Sequence, residues 1–60
     1  MKKYIAEIAD RIRAADTWDP DDCKALCEAA GMEADWATAD GDTFERVVEA
    51  AADKLGVEIY

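Results

Sequence analysis

Histidine and serine are both missing from this 60-residue chain. Without histidine the chain lacks the commonest general base and the commonest zinc ligand. Without serine, its hydroxyls are confined to Thr17, Thr38, Thr43, Tyr4 and Tyr60, none beside an activating base. The three glycines stand singly, each where an element turns or stops, so there is no glycine-rich phosphate loop. This inventory points away from an enzyme and away from any cofactor. No apolar run approaches the ~18 residues that a membrane span requires. Lys2 and Lys3 are followed by Glu7, Asp10 and Arg11, which interrupt any signal-peptide stretch, so a cytoplasmic protein without membrane contact is expected. Two cysteines are too few for a secreted disulfide scaffold.

What the chain does have is alanine and acid. Of 31 apolar residues 13 are alanine, so a core must be built from a short set of larger side chains. That set is Ile5, Ile8, Ile12, Trp18, Leu26, Met32, Trp36, Phe44, Val47, Val48, Leu55, Val57 and Ile59, with Tyr4 and Tyr60 in support. Residues 1–60 make one domain, and a core of this size supplies roughly 3–5 kcal/mol net. The net charge of −8 is unevenly placed: residues 1–15 carry +2, residues 16–45 carry −9 and residues 46–60 carry −1.

Helical spacing organises the chain. Over residues 2–15 Ile5, Ile8, Ala9, Ile12 and Ala15 recur at helical spacing, with Glu7 and Arg11 placed to pair at i,i+4 on the opposite side. Asp16 to Pro20 breaks this helix, and Asp19 caps a second over 20–30 with Pro20 at its first position. Trp18 and Cys23 have the spacing of a hydrophobic staple across that start. Gly31 stops the helix. Met32 and Trp36 anchor a short helix over 32–39. Asp42 and Glu45 form a capping-box pattern opening the last helix, 43–55, whose buried stripe is Phe44, Val47, Val48, Ala51 and Leu55. Gly56 ends it, and residues 57–60 alternate as an extended tail would. The expected fold is all-α: a bundle of three main helices plus one short helix, with a short extended C-terminal tail.

Several functional patterns fail on inspection. Cys23 and Cys27 sit at i,i+4 on a face shared with Leu26, no second pair of soft ligands exists, and buried thiols acting as small apolar groups explain them best. Asp16, Asp19, Asp21 and Asp22 lack the internal glycine and closing glutamate of a calcium loop, and helix capping accounts for them. No metal site is expected. The second and third helices have the order of a helix-turn-helix, but the would-be recognition helix carries Glu33 and Asp35 and no base, which excludes direct nucleic-acid binding.

What remains is the acidic surface. Glu45, Glu49 and Asp53 recur every four residues along the last helix, with Arg46 and Lys54 nearby to dilute the stripe. Together with Glu33 and Asp35 they are the candidate partner-binding residues. Solubility alone explains part of this charge. The functional expectation is a non-enzymatic interaction module that docks its acidic face, or an apolar patch near Trp18 and Trp36, on a protein with a basic surface. Two alternatives stand beside it: an inhibitor that mimics nucleic-acid charge and blocks a basic groove, and a structural domain that self-associates into a homo-oligomer, for instance through its tail.

From Leu26 to Tyr60 the chain resembles small acidic uncharacterised proteins encoded in bacterial genomes and their phage-derived or other mobile elements. The likeness rests on Cys27-Glu28-Ala29-Ala30-Gly31, on Trp36, on Ala39-Asp40-Gly41-Asp42-Thr43-Phe44-Glu45 and on Leu55-Gly56-Val57-Glu58-Ile59. It implies a bacterial, cytoplasmic setting and transfers no catalytic residue.

Overall fold

The structure, a computed structural model, describes residues 2–15 and 17–60, residue 2 by its backbone only. Four helices follow in order: α1 Lys2–Ala14, α2 Pro20–Ala29, α3 Glu33–Thr38 and α4 Phe44–Leu55. Each boundary lies within one residue of the sequence expectation, and no strand occurs among the described residues. Helix α2 is the central element, packed against α1, α3 and α4. Its Cys23, Leu26 and Cys27 are buried, meeting Ile8 and Ile12 of α1 and Val48 and Ala51 of α4 in one cluster. No polar or charged side chain is buried among the described residues.

The ends of α2 are chemically marked. Asp19 Oδ1 accepts the Asp21 N–H at 2.8 Å, the capping bond its position predicts. At the other end Gly31 adopts φ 73°, where a Cβ would be strained. There Met32 N–H donates to Cys27 O at 2.8 Å and Gly31 N–H to Glu28 O at 3.0 Å. These paired bonds satisfy the last carbonyls of the helix. Helix α4 ends the same way at Gly56 (φ 72°), with Val57 N–H donating to Ala52 O at 3.0 Å.

The capping of α4 departs from expectation. A turn at residues 41–43 precedes the helix, and Phe44 N–H donates to Asp40 O at 3.0 Å. Asp40 therefore takes the capping role assigned to Asp42. Its Oδ1 accepts from the Asp42 N–H at 2.9 Å and the Thr43 N–H at 3.1 Å. Thr43 replaces Glu45 as the reciprocal partner, its Oγ1 accepting the Asp40 N–H at 3.0 Å. Asp42 sits inside the turn that it was expected to open.

Two further expectations are corrected. Arg11 does not reach Glu7 but crosses to α2, where its Nε donates to Asp22 Oδ1 at 3.1 Å. Phe44, Val47 and Leu55 of the expected stripe are half-buried, whereas Val48, Ala51 and Ala52 of the same helix are buried. The tail, residues 57–60, belongs to no regular element and alternates as expected. Ile59 turns inward, 3% exposed, while Glu58 and Tyr60 face out. Arg13 Nη1 holds it by donating to Glu58 O at 2.6 Å.

Burial orders the expected mutational costs. Leu26→Ala should lose about 2–5 kcal/mol, enough to unfold most of the population. Phe44→Ala should lose clearly less, below the ~3–5 kcal/mol of a fully buried ring. Urea denaturation of both variants checks the order; equal losses would return Phe44 to the core.

Candidate functional site

Two loops converge at one end of the bundle because α2 and α4 both begin there. Trp18 immediately precedes the α2 cap and lies half-buried, packed against the core. The edge of Phe44 meets it at 86° with ring centroids 6.3 Å apart. Tyr60 packs on it from the tail, centroids 5.6 Å apart. Trp36 of α3 completes the group. Trp18, Trp36 and Phe44, with Pro20 and Cys23 of α2 and the turn at Ala39, Asp40 and Gly41, line a cleft of about 380 Å³.

The chemistry of this cleft is aromatic and anionic. Asp40 supplies its carboxylate, and the Asp42 backbone N–H, followed by the Thr43 hydroxyl, holds its pKa below the usual carboxylate value. The cysteines offer no nucleophile. Burial, then the neighbouring Cys27, Asp22 and Asp19, pushes the Cys23 thiol up to about 11. Burial, then Asp35, raises Cys27 as well. Both thiols are therefore protonated at neutral pH and behave as apolar groups.

The candidate partner-binding residues fall into two places. Glu45, Glu49 and Asp53 are exposed along one flank of α4. Glu49 and Asp53 line a groove of about 600 Å³ against the tail. Glu49 Oε2 accepts the Tyr60 hydroxyl at 2.6 Å. Glu33 and Asp35 are exposed in the first turn of α3, and Asp35 shares a separate depression with Arg46, Val47 and Ala50 on another flank of α4. The structure thus groups the first three and sets the other two apart. Arg46 lines the depression that holds Asp35 and, at i,i+3 from Glu49 and i,i+7 from Asp53, still borders the stripe. Asp16, counted among the acidic residues, lies outside the described residues.

Sequence reasoning named Trp18 and Trp36 but missed Asp40 as a site residue and placed Phe44 in the core. The available signal was Asp40-Gly41-Asp42-Thr43, in which an acid three residues ahead of a threonine also satisfies a reciprocal cap. No group of three or more thiol or carboxylate side chains is arranged to hold a metal ion among the described residues. Likewise no described helix is long and apolar enough to cross a membrane. No protein-family model, curated protein or solved structure matches the chain.

Two titrations follow. Because Asp40 is depressed in the folded state, its contribution is present above about pH 4 and is lost as pH falls through the folded value. Asp40→Asn caps about as well but does not titrate. Its melting temperature should therefore fall less than that of the wild type on acidification; parallel curves would show that the cap is unimportant. Tyr60 moves the other way. The hydrogen bond to Glu49, then burial and the charges of Glu49 and Glu45, pushes its phenol up from 10.0 to about 12. Its contribution is present below the ordinary value and is lost as pH rises through the folded one. The phenolate absorbance difference between wild type and Tyr60→Phe should accordingly appear near pH 12; a step at the ordinary value would mean that Tyr60 is free.

Proposed function

We propose that this chain is a non-catalytic interaction module that docks onto a basic surface of a partner protein. One observation carries the reading: the aromatic cleft is built entirely from residues 18–44, inside the stretch 16–45 that holds −9 of the net charge. Each cleft aromatic has a carboxylate next to it in the chain, Asp19 beside Trp18, Asp35 beside Trp36 and Glu45 beside Phe44. An aromatic patch within a charged rim has the anatomy of a binding surface, with buried rings as anchors and charges that steer and select. Glu45, Glu49, Asp53, Glu33 and Asp35 are assigned the steering role. The non-enzymatic part of the reading rests on the side-chain inventory, and the bacterial or mobile-element setting on the likeness of residues 26–60.

A second reading, charge mimicry of nucleic acid, rests on the exposed stripe of α4. Glu45, Glu49 and Asp53 are all exposed there, neighbours about 5–6 Å apart between Cβ atoms, with Arg46 at the border. Self-association through the tail gains nothing, since Ile59 is already buried in its own bundle.

Calorimetric titration with a short arginine–glycine peptide and a glutamate–glycine control tests the proposal. Only the basic peptide should bind, weakening roughly tenfold between about 0.01 M and 0.15 M salt. Failure of the basic peptide at low salt would overturn it. Replacing Glu45, Glu49 and Asp53 with glutamine should slow association and reduce affinity a few fold; loss of nearly all affinity would favour mimicry instead.

A further inference from the structure

We propose that the cleft between Trp18, Trp36 and Phe44 receives the guanidinium group of one arginine presented by a basic protein segment; the inference rests on the reading above and narrows it to a single side chain. Size is the first argument. A cleft of about 380 Å³ lies at the low end of the ~300–1,000 Å³ of small-ligand sites, and suits one long side chain better than the row of anchors on a docking helix.

The walls supply the second. Tryptophan faces attract cations within ~6 Å of the ring centroid, and a flat, weakly hydrated guanidinium stacks on them better than an ammonium does. Trp18 packs against Phe44 and against the exposed Tyr60, contacts that bias its orientation before a ligand arrives. Such preorganisation removes part of the ordering cost of binding.

The third concerns charge. Asp40 Oδ1 already accepts three hydrogen bonds, from the Asp42 N–H, the Thr43 N–H and the Thr43 hydroxyl. Asp40 lines the cleft, and its Oδ2 accepts none from the described residues, which leaves an anionic oxygen for a guanidinium N–H. The starts of α2 and α4 also open here and, left uncapped, would repel a cation with their partial positive charge. Asp19 and Asp40 are placed at these two starts and cancel that field. Two of the chain's own arginines are engaged elsewhere, Arg11 on Asp22 and Arg13 on Asp10 and Glu58 O, and Arg46 lines a different depression. An apolar anchor in the same place would strip water from neighbouring carboxylates without compensating them, whereas an arginine compensates them.

The test uses the arginine–glycine peptide and a copy in which citrulline, shaped like arginine but neutral, replaces each arginine. Binding is measured to the wild type and to Trp36→Leu and Trp36→Phe, each checked for helix content by circular dichroism. The indole N–H resonances of Trp18 and Trp36 are followed by NMR in the wild type. The expected result is that citrulline weakens binding at least about tenfold, that both indole resonances shift, and that Trp36→Leu loses about fivefold while Trp36→Phe keeps most of the affinity. If Trp36→Leu does not fold, the wild-type indole shifts decide. Should the arginine peptide bind while neither indole moves and Trp36→Leu binds equally well, the cleft inference is overturned and the basic-partner reading stands. Equal binding of the citrulline peptide overturns the guanidinium, and no binding of either peptide at low salt overturns both.

Discussion

Helix α2 must be covered on three sides at once, by α1, α3 and α4. The rest of the structure depends on that constraint. A ten-residue helix can meet three neighbours only if most of its contact residues are thin, and Cys23, Ala25, Cys27 and Ala30 meet that need around a single large side chain, Leu26. Short side chains let helix axes approach closely. They also supply little apolar area, so the position of each end matters more than usual. Asp19 and Gly31 set those ends. A start one turn later would withdraw Cys23 from the core, and a stop one turn later would carry Met32 and α3 away from it.

Outside this core the polar contacts orient elements more than they hold them. The Arg11–Asp22 bridge joins the basic first helix to the acidic second, but with Arg11 54% exposed at its side chain such a pair is worth only ~0–1 kcal/mol. The tail illustrates the balance. Burying Ile59 contributes about 1.5–3 kcal/mol, against which the hydrogen bonds of Arg13 and Tyr60 chiefly fix direction. Docking of the tail is apolar-led, and it brings Tyr60 onto Trp18.

Local signals in the sequence were enough for the helices. The pitch of Ile5, Ile8 and Ile12, the cap at Asp19 with Pro20 behind it, and the stops at Gly31 and Gly56 each act within a few residues, and all appear as expected. The α4 cap was misassigned because Asp40–Thr43 and Asp42–Glu45 are two capping patterns in overlapping positions, and only the packed turn chooses between them. Arg11 was misassigned because its partner on α2 is eleven positions away, beyond any helical periodicity. The candidate site was legible only in part for the same reason. The stripe on α4 is a property of one helix and was visible, whereas the cleft joins residues from the α1–α2 loop, α3 and the α3–α4 turn, whose meeting no local pattern records.

The cleft also bears on why these aromatics are where they are. Aromatic side chains offer ~150–250 Å² each for burial, and every ~40 Å² left in water forgoes about 1 kcal/mol. In a domain whose core supplies only roughly 3–5 kcal/mol, three partly uncovered rings at one spot represent stability of comparable size left unused. The same chain buries Ile8, Ile12, Leu26 and Val48 completely, while Ile5, Met32, Val47, Leu55 and Val57 are half-buried like the cleft aromatics. At the cleft the incomplete cover coincides with the acidic half of the chain and lies beside the Asp40 carboxylate. Apolar area left uncovered beside fixed negative charge is poorly suited to further folding, because closing it would desolvate the carboxylate. A cation that brings its own apolar stem can cover the rings and pair with the carboxylate in one step.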